Sequence, residues 1–169
     1  MTLWFQDEAR VGQKGRLCHR WWTKGQRPPG RCDQRYEWAS IDAAVRPDTG
    51  DAFALVMPTV STRIMALFLE RFAATLAPDE HTDLVLDGAG WHATARLRVP
   101  ENVTLVTLPP YSPQLNPVER VWLFLRERFL SLQVFADADA CCHAWNTLVA
   151  EPGRIRSLCS QPWLQWVTS

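Results

Sequence analysis

Apolar residues along this chain first alternate with polar ones and later recur at helical spacing, and that change of period sets out the elements. "LWFQD" (residues 3–7) is a short run of strand-forming residues that ends in an acid. "RLCHRWWTKGQRPPG" (16–30) reads as a strand running into a Gly/Pro loop. "YEWASIDAAV" and "DAFALVM" flank "RPDTG", turn chemistry that predicts a β-hairpin. Ser61 precedes "TRIMALFLERFAATL", in which Ile64, Leu67, Phe68 and Phe72 share one helical face. "DLVLD" (83–87) and "VTLVTL" (103–108) are brief strands of the buried type, with a glycine-containing loop and a short helix between them. Val118, Val121, Trp122, Leu125 and Phe129 keep the spacing of a buried stripe and predict a helix over 117–130. Further helices follow in "ADACCHAWNTLVA" and "GRIRSL". The order is three antiparallel strands, helix, strand, short helix, strand, helices: an α/β domain with a mixed sheet.

Composition narrows the class. With 169 residues, 47% of them hydrophobic, the chain suits a single domain (1–169) with a substantial core. No apolar run approaches the length of a membrane helix, and "MTLWFQDEAR" lacks the basic and apolar regions of a signal peptide. Five scattered cysteines, an odd number, suit free thiols in a reducing cytoplasm better than a disulfide framework.

Net charge is zero, yet the distribution is uneven. Residues 10–35 hold eight basic side chains (Arg10, Lys14, Arg16, Arg20, Lys24, Arg27, Arg31, Arg35) and one acid, Asp33, a net +7. Such a patch is either a solvated loop face or the footprint of a phosphate backbone.

Three acids carry the candidate chemistry. Asp7 closes the first strand, Asp87 the strand 83–87, and Glu119 lies in the first turn of the late helix. Open α/β sheets bind ligands at strand ends, so these positions can converge. Converging carboxylates repel one another unless cations lie between them. Mg²⁺ or Mn²⁺ takes such oxygen ligands, and a pair of ions about 3.5–4 Å apart serves in-line phosphoryl displacement. Each acid also has an ordinary structural reading. Asp7 is followed by Glu8, which points to the opposite face, and Asp87 suits a loop cap. Asn116, Pro117 and Glu119 form a variant capping box, as N-cap, N1 and N3. The cap fixes where the helix begins and so where Glu119 sits; both readings can hold together.

Other motifs fall away. Gly88, Gly90 and Ala93 satisfy a dinucleotide fingerprint, but the following strand ends without the acid that would hold a ribose. Cys141, Cys142 and His143 lack zinc-ligand spacing. His92 is at loop spacing from Asp87, either a phosphate contact or a structural histidine.

"FQDEAR", "LVLDGAGWH" and above all "LPPYSPQLNPVERVW" resemble the catalytic domain of DDE transposases of the mariner superfamily, in its bacterial insertion-sequence branch. The resemblance runs from residue 3 to about 130. It implies a ribonuclease H-like fold with a mixed five-stranded sheet and a metal-binding triad at Asp7, Asp87 and Glu119, with residues 88–118 between the last two. It further implies Mg²⁺- or Mn²⁺-dependent hydrolysis at transposon ends, with two ions, followed by 3′-hydroxyl attack on target DNA, typically at TA. Glu8, His92 and Asn116 are then supporting or phosphate-contact candidates. Arg10, Lys14, Arg16, Arg20, Lys24 and Arg27 would contact the DNA backbone. A homodimer associated with the nucleoid is the expected assembly. Two departures stand out: Gly88 replaces the asparagine usual after the second acid, and no helix-turn-helix region precedes residue 3. That places recognition in a separately encoded domain, or makes the chain an inactive remnant that binds DNA or dimerises as a regulator. A structure-specific nuclease on the same fold is the third reading.

Overall fold

A computed structural model describes residues 1–12, 23–26, 38–88, 97–130 and 138–164. Five strands form one mixed sheet: β1 (Thr2–Gly12), β2 (Trp38–Val45), β3 (Ala52–Met57), β4 (Thr82–Leu86) and β5 (Val103–Thr107), in the order β3-β2-β1-β4-β5. β1 to β3 pair antiparallel, while β4 runs parallel to β1 and β5 parallel to β4. The strand expected within 16–30 and the short helix after Gly88 fall largely or wholly outside the described residues.

The β2–β3 hairpin forms where "RPDTG" placed it. Arg46 donates to both carboxylate oxygens of Asp48 at 2.8 and 2.9 Å, and Gly50 takes the left-handed φ of 82° that the turn requires. A Cβ at Gly50 would also lie 2.0 Å from the Pro152 carbonyl oxygen, so glycine lets the turn abut a late helix.

Helix α1 (Thr62–Ala73) is capped by Ser61, whose hydroxyl accepts from Ile64 N. Its buried stripe is Met65, Phe68, Leu69 and Phe72. Ile64 and Leu67, expected on that face, lie at its margin, because the helix is rotated to seat Phe68 and Phe72 against Phe53. With Trp4, Ala44 and Leu84 they form the core on one side of the sheet.

The other side is covered by α2 (Val118–Leu125), α3 (Ala138–Val149) and α4 (Pro152–Cys159). Val118, Val121, Trp122 and Leu125 bury as the stripe predicted, against Phe5, Ile41, Ala43 and Val85. The expected single helix over 117–130 is instead α2 continued by a π-helical turn, Arg126–Leu130. Trp163 stacks edge-on to Phe5 and so belongs to this core.

β1 is longer than "LWFQD". It continues through Gly12 because β2 pairs with it as far as Gly12 opposite Trp38. Asp7 therefore lies in mid-strand. Its parallel neighbour β4 pairs only with Thr2–Phe5, so Asp7 still stands just beyond the carboxyl end of that pairing.

Candidate active site

The parallel strands β1, β4 and β5 present their carboxyl ends to one edge of the fold, where open α/β sheets form their clefts. Asp87 follows β4 directly. The segment after β5 is tied down by Leu108 N donating to Leu86 O at 2.8 Å. From there the proline-rich loop leads into α2. Asp7, Asp87 and Glu119, from three separate elements, line one cavity of ≈ 460 Å³ together with Asn116, Gly88 and Tyr111.

Asn116 explains how the helix start is fixed. It is buried, 4% exposed; its Nδ2 donates to the backbone oxygen of Gln6 at 3.0 Å and its Oδ1 accepts from Val118 N at 3.2 Å. The side chain thus ties the first turn of α2 to the β1 residue before Asp7. Pro117, with φ −65° and ψ −19°, has already entered helical geometry. The reciprocal half of the expected capping box is absent: Asn116 N donates to Pro113 O, and Glu119 faces Arg126 at 3.9 Å instead. Both polar ends of Asn116 are thus engaged inside the protein.

Asp7 is half-buried, and burial is the chief force raising its pKa to about 7. The negative charges of Glu119 and, less strongly, Asp87 raise it further, while a backbone hydrogen bond at Glu8 and the Trp122 indole oppose them. Trp122 Nε1 donates to Asp7 Oδ2 at 3.0 Å. Glu119 is more open, its side chain 45% exposed, so its long contact with Arg126 is a weak, solvent-screened pair.

These donors suit a hard divalent cation: they are all carboxylate oxygens, they share a cavity, and Asp7 registers the charge of the other two. Among the described residues, no three His, Cys, Asp or Glu groups are drawn together tightly enough to cage an ion by themselves. The arrangement is an acidic rim, suited to an ion that keeps water and substrate oxygens in its shell.

The remaining sequence candidates are dispersed. Glu8 lies on the opposite face of β1, in register with Asp42 of β2. Asp42 is buried, its Oδ2 lacks a hydrogen-bond partner among the described residues, and burial, then Glu8, raises its pKa to about 7. Arg10 and Lys24 are exposed. Lys14, Arg16, Arg20, Arg27 and His92 lie outside the described residues. A second cavity of ≈ 510 Å³, between the hairpin turn and α4, is lined by none of the three acids. Its Cys159 is no nucleophile, since burial pushes the thiol up to about 12. Trp122 was legible only as core; the signal for more was its indole N–H, which must find a partner when buried.

A family model described as DDE superfamily endonuclease matches residues 2–142. A protein of Sinorhizobium fredii (strain NBRC 101917 / NGR234), described as uncharacterized protein y4pE/y4sA, is 45% identical over 130 residues, 75% of this chain and 96% of that protein. Among solved structures, the mariner Mos1 paired-end complex with Mg superposes with a TM-score of 0.67 at 12% identity, covering 94% of this chain and 53% of that one. The Mos1 transposase paired-end complex with left transposon end gives 0.65 at 12% identity, covering 94% and 55%. The fold is thus ribonuclease H-like, and the chain spans about half the length of these Mos1 chains. Among the described residues no helix is long and apolar enough to cross a membrane.

Proposed function

This chain belongs to the DDE superfamily endonucleases, and on that premise we propose that it is the catalytic domain of a transposase, cutting DNA phosphodiesters with Asp7, Asp87 and Glu119. The observation that carries the reading is the convergence of these three acids, from β1, the end of β4 and the start of α2, on one cavity in which Asp7 senses the other two charges. The Mos1 complexes with Mg and with a transposon end, on the same fold, support divalent metal and DNA as ligands.

The protein's part in the reaction is mainly placement. Asp7, Asp87 and Glu119 would hold Mg²⁺ or Mn²⁺, in two ions on this reading, which polarises the phosphate and activates the attacking oxygen when bound. Trp122 orients the Asp7 carboxylate through Oδ2 and favours its ionised form. Asn116 fixes the distance between β1 and the turn that bears Glu119. Water attacks first, breaking the P–O3′ bond to leave a 3′-hydroxyl and a 5′-phosphate. That hydroxyl then attacks a target phosphodiester and displaces the target's own 3′-oxygen, so one P–O bond replaces another, the strands are joined and a target 3′-hydroxyl is released. Exposed Arg10 and Lys24 would contact DNA phosphates, which position a duplex without reading its sequence.

Nicking of supercoiled plasmid in Mn²⁺, with EDTA as control and Glu119→Gln beside the wild type, tests the assignment. The substitution keeps the size of the side chain and leaves the Asn116 tie intact. Metal-dependent nicking that is lost in Glu119→Gln is the expected result. Equal nicking by both proteins would remove Glu119 from the site. A folded wild type that never nicks would favour the inactive regulator. Joined products, scored in the same reactions, separate a transposase from a nuclease on the same fold.

A further inference from the structure

We propose that Tyr111 is a stacking platform for DNA, holding one unstacked nucleobase beside the scissile phosphate at the mouth of the acidic cavity. The inference rests on the endonuclease reading and adds to it a contact that the three acids do not supply. Tyr111 lines the cavity with Asp7, Asp87 and Glu119, yet its side chain is 100% exposed. Its φ of 57° makes it the one non-glycine residue with positive φ among the described residues. For a bulky residue that is a genuine outlier, and glycine or asparagine would occupy the position with less strain.

Nothing among the described residues accounts for a ring in that place. Tyr111 makes no hydrogen bond or ring contact among the described residues. Its neighbours, in contrast, are held firmly. Pro109, Pro110 and Pro113 fix φ on both sides, Ser112 Oγ donates to Pro110 O at 3.3 Å, and Leu108 N is anchored on β4. The chain accepts backbone strain in order to hold a ring in water at the rim of the site, and strain of this kind clusters at ligand clamps.

The chemistry of the rim indicates what the ring meets. Carboxylates repel a phosphate until cations lie between them, so an uncharged contact beside the reacting group helps a nucleic acid engage this rim. Every base has a π-face, and an exposed aromatic ring binds it with little regard for sequence. Where the DNA at the site is unpaired, the extruded base gains a surface to stack on.

The test uses the full chain and a duplex interrupted by a short single-stranded gap that carries a fluorescent adenine analogue, in EDTA and in Mn²⁺. Wild type and Tyr111→Phe are expected to quench the analogue on binding. Tyr111→Ala and Tyr111→Gly should leave it bright and bind the gapped probe roughly tenfold more weakly, with affinity for an uninterrupted duplex unchanged. Tyr111→Gly also relieves the left-handed strain, so its Tm should equal or exceed that of wild type while stacking is lost. A structural role would move the two together. Equal quenching by wild type and Tyr111→Ala overturns the inference, as does loss in Tyr111→Phe. If wild type nicks plasmid yet shows no ring-dependent quenching, stacking alone fails. If a folded wild type neither nicks nor binds, the endonuclease reading fails and takes this inference with it.

Discussion

The indole Nε1 of Trp122 donates to Asp7 Oδ2 across 3.0 Å, so one residue of the α2 core stripe also serves a carboxylate of the candidate triad. The bond favours the charged form of Asp7 against burial and against Glu119. Trp122→Phe keeps most of the apolar packing and removes only this donor. A hydrogen bond to a charged group contributes about 1.5–3 kcal/mol, so nicking at subsaturating Mn²⁺ should fall at least tenfold. The pH at half-maximal activity should move upward, because the Asp7 carboxyl loses a group that lowers its pKa. A metal titration and pH profile identical to wild type would show that the bond has no part in the site.

Asn116 is expected to matter for stability and for activity separately. Asn116→Ala leaves the Gln6 carbonyl and the Val118 N–H without their partner inside the fold. The loss should cost about 2 kcal/mol, a fall of roughly 4–8 °C in Tm for a domain of this size. Below its new Tm, where the variant is fully folded, it should still nick more slowly, since Glu119 is no longer fixed relative to β1. Nicking at the wild-type rate under those conditions would confine Asn116 to stability.

These two residues mark how far the site could be read before folding. Asn116 and Pro117 were legible as a helix start because capping is local chemistry, written in adjacent residues. The tie from Asn116 to Gln6 was not, since it spans 110 positions and depends on where α2 lands. The hairpin and the α2 stripe followed from turn residues and periodicity. The length of β1 did not, because "EARVG" becomes strand only by pairing with β2. The burial of Asp42 opposite Glu8 is a consequence of register, which no single strand specifies.

Metal should stabilise the fold through the same three acids. Asp7 is held near a pKa of about 7 by burial and neighbouring negative charge, and a bound cation offsets both. A ligand at a hundred times its Kd adds about 2.7 kcal/mol, so saturating Mn²⁺ at pH 7.5 should raise Tm by roughly 5–10 °C. Asp87→Asn should abolish most of that rise and all nicking while leaving the metal-free Tm little changed. A full Mn²⁺-dependent rise in Asp87→Asn would place the ion elsewhere.

Asp42 offers a pH test on the opposite face of the sheet. Its folded pKa, about 7, lies above the ordinary value of 3.8, owing first to burial and then to Glu8 in register with it. The folded state therefore binds this proton more tightly than the unfolded chain does. What the group contributes to stability is complete below pH 3.8 and is lost progressively as pH rises through about 7. Above that, the protein carries a buried carboxylate whose Oδ2 has no hydrogen-bond partner among the described residues. Asp42→Asn cannot ionise, so its Tm relative to wild type should climb from pH 5 to about pH 7 in EDTA and level off above that. A Tm difference that stays flat across that range would mean Asp42 ionises in the fold as freely as in water, with its carboxylate solvated or paired.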